Sequence, residues 1–164
     1  MTYSTPDICD ELPEGLQVAE PLFTEFGGKE AFSGEVVTIK CFEDNSLVKQ
    51  NLATAGHGKV LVVDGGGSLR CALLGDLLGA MAVKNGWQGL LINGCVRDVE
   101  ILKSMDLGVR ALNCYPIKSR KRNEGQLNIP VRFAGVSFEP GQHLYADENG
   151  ILIINDKLEI PPGG

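Results

Sequence analysis

The sequence predicts an α/β sandwich with mixed sheets in a single domain, and three observations carry that expectation. Two short apolar runs, Lys59-Val60-Leu61-Val62-Val63-Asp64 and Gly89-Leu90-Leu91-Ile92-Asn93-Gly94, have the continuous hydrophobicity of strands covered on both faces. Helical patterns lie between and after them, giving βαβ units whose strands run parallel. Flanking segments alternate apolar and polar residues, as strands of antiparallel hairpins do, so a uniform doubly wound sheet is disfavoured.

Taken in order, Asp7 to Glu11 reads as a short helix capped by Thr5 or Asp7 and stopped before Pro13. A Gly27-Gly28 turn leads to Ser33–Phe42, SGEVVTIKCF, a half-buried strand rich in β-branched residues. Asp44-Asn45-Ser46 supplies an N-cap for a helix over Leu47 to Ala55. The strand at 59–64 ends in Gly65-Gly66-Gly67, where glycine torsions let the chain close against a neighbouring backbone. That triplet lacks the Lys-Ser/Thr of a P-loop and the spaced glycines of a dinucleotide fingerprint. Asp76 to Asn85 carries apolar residues on one helical face and is closed by Gly86-Trp87. Val99 to Met105 reads as a further helix and Gly108 to Asn113 as a third strand of the series. Tyr115 to Asn128, with Lys118-Ser119-Arg120-Lys121-Arg122, reads as an exposed loop whose basic run is solvated in preference to forming an anion patch. Pro130 to Phe138 and Gly150 to Ile154 complete the antiparallel part. Residues 1–160 are expected to form the domain, and Pro161-Pro162-Gly163-Gly164 a loose tail.

Composition narrows the class. At 164 residues the chain is long enough to bury a core without disulfide or metal staples. Asp and Glu number 21 against 15 Lys and Arg, a net charge of −6 that disfavours direct contact with nucleic acid. Five cysteines with no C-x-x-C pair read as reduced thiols. The N-terminus shows neither a basic start nor an apolar stretch, and no run is long enough to span a bilayer, so no membrane association and a cytoplasmic address are expected.

The chemistry concentrates between Gly75 and Asp98. A helix opening at Gly75-Asp76-Leu77-Leu78 presents unpaired amides and a positive dipole end, which suit a carboxylate. Arg97, just past the next strand, can clamp the same carboxylate through its planar fork. Asp98 is a candidate ligand for Mg²⁺ or Mn²⁺, with Asp76 as a second carboxylate. The competing reading makes Asp76 a helix cap and pairs Arg97 with Asp98 or Glu100 on the surface. His57, in a Gly-His-Gly turn, and His143, in a β segment, are not expected to be catalytic, and Cys71 and Cys95 read as packing residues.

Asp76, twenty intervening residues and then Arg97-Asp98 resembles the D-x20-R-D signature of the RraA-like proteins, whose metal-dependent members include class II 4-hydroxy-4-methyl-2-oxoglutarate (HMG) aldolases. The segments Val36–Asn45, Val60–Ser68, Asn93–Asp98 and His143–Asp147 are also similar to blocks of that family. The resemblance implies a swivelling β/β/α fold, a ring-shaped homotrimer and sites near subunit boundaries. It implies that Gly75, Asp76, Leu77 and Leu78 offer amides to a substrate carboxylate, that Arg97 binds the pyruvyl group, that Asp98 holds the divalent metal and that Asp76 acts through metal-bound water. The implied reactions are retro-aldol cleavage of HMG to pyruvate and decarboxylation of oxaloacetate to pyruvate. The founding member of the family instead binds and inhibits ribonuclease E, and it departs from this chain at the positions of Asp76 and Asp98. A non-catalytic regulator of ribonuclease E is therefore the alternative expectation, and the two carboxylates favour the lyase. Larger aldolases of the family bring an acidic residue from the C-terminal part of a neighbouring subunit to the metal. With this sequence ending at Gly164, a sparser protein shell around the ion is expected.

Overall fold

A computed structural model describes residues 3–158; the expected tail at 161–164 lies outside them. The chain runs α1 (Thr5–Glu11), β1 (Leu16–Val18), β2 (Thr24–Glu25), β3 (Phe32–Lys40), α2 (Ser46–Leu52), β4 (Lys59–Asp64), β5 (Ala72–Leu74) and α3 (Asp76–Lys84). It continues through β6 (Gly89–Val96), α4 (Val99–Leu102), β7 (Gly108–Cys114), β8 (Gln126–Leu127), β9 (Val131–Phe133), β10 (Val136–Phe138), β11 (His143–Asp147) and β12 (Gly150–Ile154).

One large mixed sheet has the order β1-β12-β11-β3-β4-β6-β7-β2, with β5 added to β6 and β8 to β3. Its centre, β3-β4-β6-β7, is parallel and its flanks are antiparallel. The β9–β10 hairpin forms a separate two-stranded sheet. Strand side chains alternate between two cores, as period-2 geometry requires. Leu61, Val63, Leu90 and Ile92 face the helices, packing with Leu52, Ala82 and Leu102. Val60, Val62 and Leu91 face the hairpin, where Phe133 and Phe138 stack at 4.5 Å. The layers are thus hairpin, sheet and helices, a mixed α/β sandwich in a single domain.

Local differences from the sequence reading have local causes. The first helix is capped by Ser4, whose Oγ accepts from Asp7 N at 3.2 Å, while Thr5 turns inward to Asp147 through its amide and hydroxyl, both at 2.7 Å. The second helix starts at Asn45, whose side chain makes no capping bond; Asp44 Oδ1 takes the Ser46 amide instead, at 2.9 Å. The short strands β1, β2, β5 and β8 carry too few residues for a periodic signal, and the sheet recruits them by pairing alone. Gly65 and Gly67 both donate to Asn93 O at 3.1 Å, and a Cβ at Gly65 would lie 2.8 Å from that oxygen, so the triplet does close against β6. A charged pair lies away from the cleft: Arg110 donates to Glu25 at 2.5 Å and to the carbonyls of Glu30 and Asp147. No helix among the described residues is long and apolar enough to cross a membrane.

Candidate active site

Strand β5 decides where the chemistry converges. It runs parallel to β6 with Leu74 opposite Val96, so the residues that follow, Gly75 and Arg97, emerge side by side at the carboxyl ends of two neighbouring strands. Arg97 N donates to Leu74 O at 2.9 Å and locks that register. Ligands of open α/β sheets collect at such strand ends. The twenty-residue spacing between Asp76 and Arg97 is thus the length of one helix and one return strand.

Asp98 has φ 56° and ψ 40°, the left-handed region that Asp tolerates better than most side chains. Its carbonyl takes the amides of Ile101 and Leu102, both at 3.0 Å, and starts α4. Its carboxylate turns back, and Oδ2 accepts from Asp76 N at 3.0 Å. Gly75 makes room for this: a Cβ there would meet Asp98 Oδ2 at 2.6 Å and Arg97 Nε at 3.5 Å. Asp76 Oδ1 accepts from Leu77 N at 2.8 Å, and Arg97 Nη1 reaches Pro116 O at 3.3 Å. Two of the amides expected to face a substrate therefore already hold the protein's own carboxylates. Of the competing reading, the Arg97 ion pair is absent, since Arg97 has neither the Asp98 nor the Glu100 carboxylate within 4.0 Å, whereas Asp76 does hold an amide in the first turn of α3.

These residues open into a cleft of about 510 Å³. Six charged side chains line it: the cations Lys49, Arg97, Lys118 and Lys121 and the carboxylates Asp76 and Asp98. Leu74, Leu78 and Met81 supply its apolar wall. All of Gly75, Asp76, Leu77, Leu78, Arg97 and Asp98 border the cleft, whereas His57 and His143 do not. Among the described residues no three His, Cys, Asp or Glu side chains are grouped to enclose a metal ion. The hard oxygens of Asp76 and Asp98 suit an ion such as Mg²⁺ or Mn²⁺, which needs one or two carboxylates and fills its remaining positions with water and substrate.

Asn45, Lys49, Lys118 and Lys121 escaped the sequence reading as site residues. The basic run expected to be a solvated loop forms a wall of the cleft, because buried Asp44 ties it down. Asp44 Oδ2 accepts from the amides of Arg122 at 2.8 Å and Glu124 at 3.2 Å, and Oδ1 accepts from Ser46 N and Ser46 Oγ. Burial alone would raise the Asp44 carboxyl, but these four bonds outweigh it and hold it below its ordinary range. Cys71 and Cys95 are buried, and burial pushes both thiols up, away from the thiolate form.

Comparison with known proteins agrees with this architecture. A Pseudomonas fluorescens protein provisionally named as a 4-hydroxy-4-methyl-2-oxoglutarate aldolase is 60% identical over 159 residues, covering 97% of this chain and 98% of its own. The RNA-processing inhibitor RraA of Thermus thermophilis superposes with a TM-score of 0.94 at 42% identity, over 97% of this chain and 96% of that one. A Geobacillus kaustophilus structure described as an S-adenosylmethionine:2-dimethylmenaquinone methyltransferase superposes with a TM-score of 0.93 at 44% identity, over 95% and 97%. Three different activities on one fold leave function to the site. The model of the RraA-like family, described as Aldolase/RraA, matches residues 5–153, and the chain belongs to that family.

Proposed function

We propose that this protein is a divalent-metal-dependent lyase that cleaves HMG to pyruvate by a retro-aldol reaction and decarboxylates oxaloacetate to pyruvate. The observation that carries this reading is the meeting of Arg97 and Asp98 over Gly75, beside Asp76, in a cleft rich in cations on a chain of net charge −6. Such a cleft draws small anions. The names of relatives at about 60% identity, provisionally HMG aldolases, support the retro-aldol part of this reading.

Asp98 would hold the ion, Mg²⁺ or Mn²⁺, with Asp76 beside it, and when bound the ion would supply Lewis acidity toward the 2-oxo group of the substrate. Arg97 binds the pyruvyl oxygens through charge-assisted N–H donors and stabilises the negative oxygen that develops as the pyruvate enolate forms. The opening of α3 at Gly75–Leu78, with the Asp76 and Leu77 amides already held by Asp98 and Asp76, attracts the substrate carboxylate through the positive end of its dipole. In aldol cleavage Asp76 draws the proton of the C4 hydroxyl through a water, and the C3–C4 bond pair passes into the enolate. Oxaloacetate loses CO₂ to leave the same enolate, with no hydroxyl proton to remove. Residues 1–160 act as one domain in a cytoplasmic homotrimer with sites near subunit boundaries.

A second reading, a regulator that binds and inhibits ribonuclease E, is favoured by the likeness to the Thermus RNA-processing inhibitor. One assay separates the two. Purified protein given oxaloacetate should release pyruvate only when Mg²⁺ or Mn²⁺ is added, and chelation should stop it. Absence of turnover with either ion, together with tight binding to the ribonuclease, would reverse the order.

A further inference from the structure

Beyond Arg97 and Asp98 the cleft continues past Asn45, Lys49 and Lys121, which the lyase chemistry above does not use. Asn45 is 9% exposed. Its Nδ2 donates to Leu73 O at 3.2 Å, which settles which way the amide faces. Its Oδ1 is buried with no hydrogen-bond partner, the one such side-chain atom among the described residues. Buried polar atoms in folded proteins nearly always have a partner, so this acceptor calls for a donor. The carboxylate and keto oxygens of a 2-oxo acid only accept, and the single hydroxyl proton of a 4-hydroxy acid leaves during aldol cleavage. A lysine ammonium carries three donors and no acceptor.

Of the lysines that line the cleft, Lys121 directly follows the residue bridged to Asp44. Asp44 forms an isolated parallel bridge with Arg120, so the residues that follow, Asn45 and Lys121, leave it in the same direction. The Asn45 amide donates to Ser119 Oγ at 3.1 Å, and Asp44 clamps the amides of Arg122 and Glu124, so the segment carrying Lys121 is held on both sides. Lys49 stands one turn along α2, its amide on Asn45 O at 3.1 Å.

We propose that Lys121, positioned by Asn45 Oδ1, and Lys49 form a subsite for the distal carboxylate of the substrate, so that the protein selects 2-oxo dicarboxylates over 2-oxo monocarboxylates. One ammonium proton faces Asn45 and two remain for the carboxylate. This rests on the lyase reading, whose Arg97 end of the cleft takes the pyruvyl half common to both classes.

Two reactions expose the subsite. Oxaloacetate decarboxylation uses both ends of the cleft, whereas exchange of the C3 protons of pyruvate in deuterated water uses only the Arg97 end. Lys121→Met and Lys49→Met should each lower kcat/KM for oxaloacetate, mainly through KM, by about tenfold more than they lower pyruvate exchange. Asn45→Ala should shift the same ratio, with little further loss on a Lys121→Met background. Lys84→Met, which removes an exposed lysine in the last turn of α3 away from the cleft, should shift nothing. In the unaltered protein, 2-oxoglutarate should inhibit about tenfold more tightly than 2-oxobutyrate. Equal losses in the two reactions, additive losses for Asn45 and Lys121, or equal inhibition by the two acids would each overturn the subsite while leaving the lyase intact. A wild-type protein that catalyses neither metal-dependent reaction overturns the lyase reading and the subsite with it.

Discussion

Asp76 and Asp98 meet through a single amide: Asp98 Oδ2 accepts from Asp76 N, while Asp76 turns its own Oδ1 onto Leu77 N. The same residue type thus has two environments, and the proposed roles differ accordingly. Asp76→Asn keeps the backbone amide that orients Asp98 and removes only the carboxylate that draws the hydroxyl proton. It should slow HMG cleavage by about 100-fold or more, the usual scale of a lost general base, and oxaloacetate decarboxylation far less. Arg97→Ala should damage both, because both pass through the enolate. Steady-state rates of pyruvate release with the two substrates measure the split, and equal losses for Asp76→Asn would remove its assignment as base. Gly75 belongs to the same scale: its missing Cβ is the space in which the Asp98 carboxylate lies.

At the scale of elements, the cleft is a strand-end pair with one irregular wall. The wall, residues 117–124, holds no helix and no strand, and its order comes from bonds to its neighbours: Ile117 O takes Ala72 N at 2.8 Å, Arg120 N reaches Glu43 O at 2.9 Å, and Asp44 takes two amides. Asp44→Asn leaves one oxygen where two served four donors, and should cost about 1–3 kcal/mol in chemical denaturation at neutral pH. The sign of its pH dependence follows from a folded carboxyl held below its unfolded value. That contribution is complete above the unfolded pKa, near about 4, and is lost as pH falls through the folded one. The stability gap between wild type and Asp44→Asn should therefore be constant from neutral pH down to about pH 5 and should close in stronger acid. A gap that widened on acidification would contradict the assignment of Asp44 as the clamp.

On the scale of the whole molecule, thiol reactivity reports how tightly the two cores close. Cys114 is exposed at the end of β7, Cys9 is half-buried, and Cys41, Cys71 and Cys95 are buried. Burial first, then the negative charges of Asp44 and Asp64, push the Cys41 thiol up to about 12. In the native protein near about pH 8, a disulfide reagent should consume Cys114 first and Cys41 only as the fold opens, whereas all five should react at once in concentrated guanidinium. Mass spectrometry of the modified sites checks the order, and early labelling of Cys41 would mean that the helix-side core opens locally.

The chain by itself determined its strands at 59–64 and from 89, its helix from Asp76 and its mixed α/β class, because each is written as a local run, whereas the candidate triad Asp76, Arg97 and Asp98 stood out only through its resemblance to the RraA-like signature. Only the tertiary structure decided that Leu74 pairs with Val96 and brings that triad to one point, and that the basic segment near Lys121 lines the cleft rather than trailing into solvent. Both depend on contacts between residues distant in sequence. Asp44 meets the Arg122 amide across 78 positions, and a three-residue strand has no periodicity of its own to announce it. Local pattern carries information over a turn or two of chain, whereas a wall built from long-range hydrogen bonds exists only once the sheet has closed.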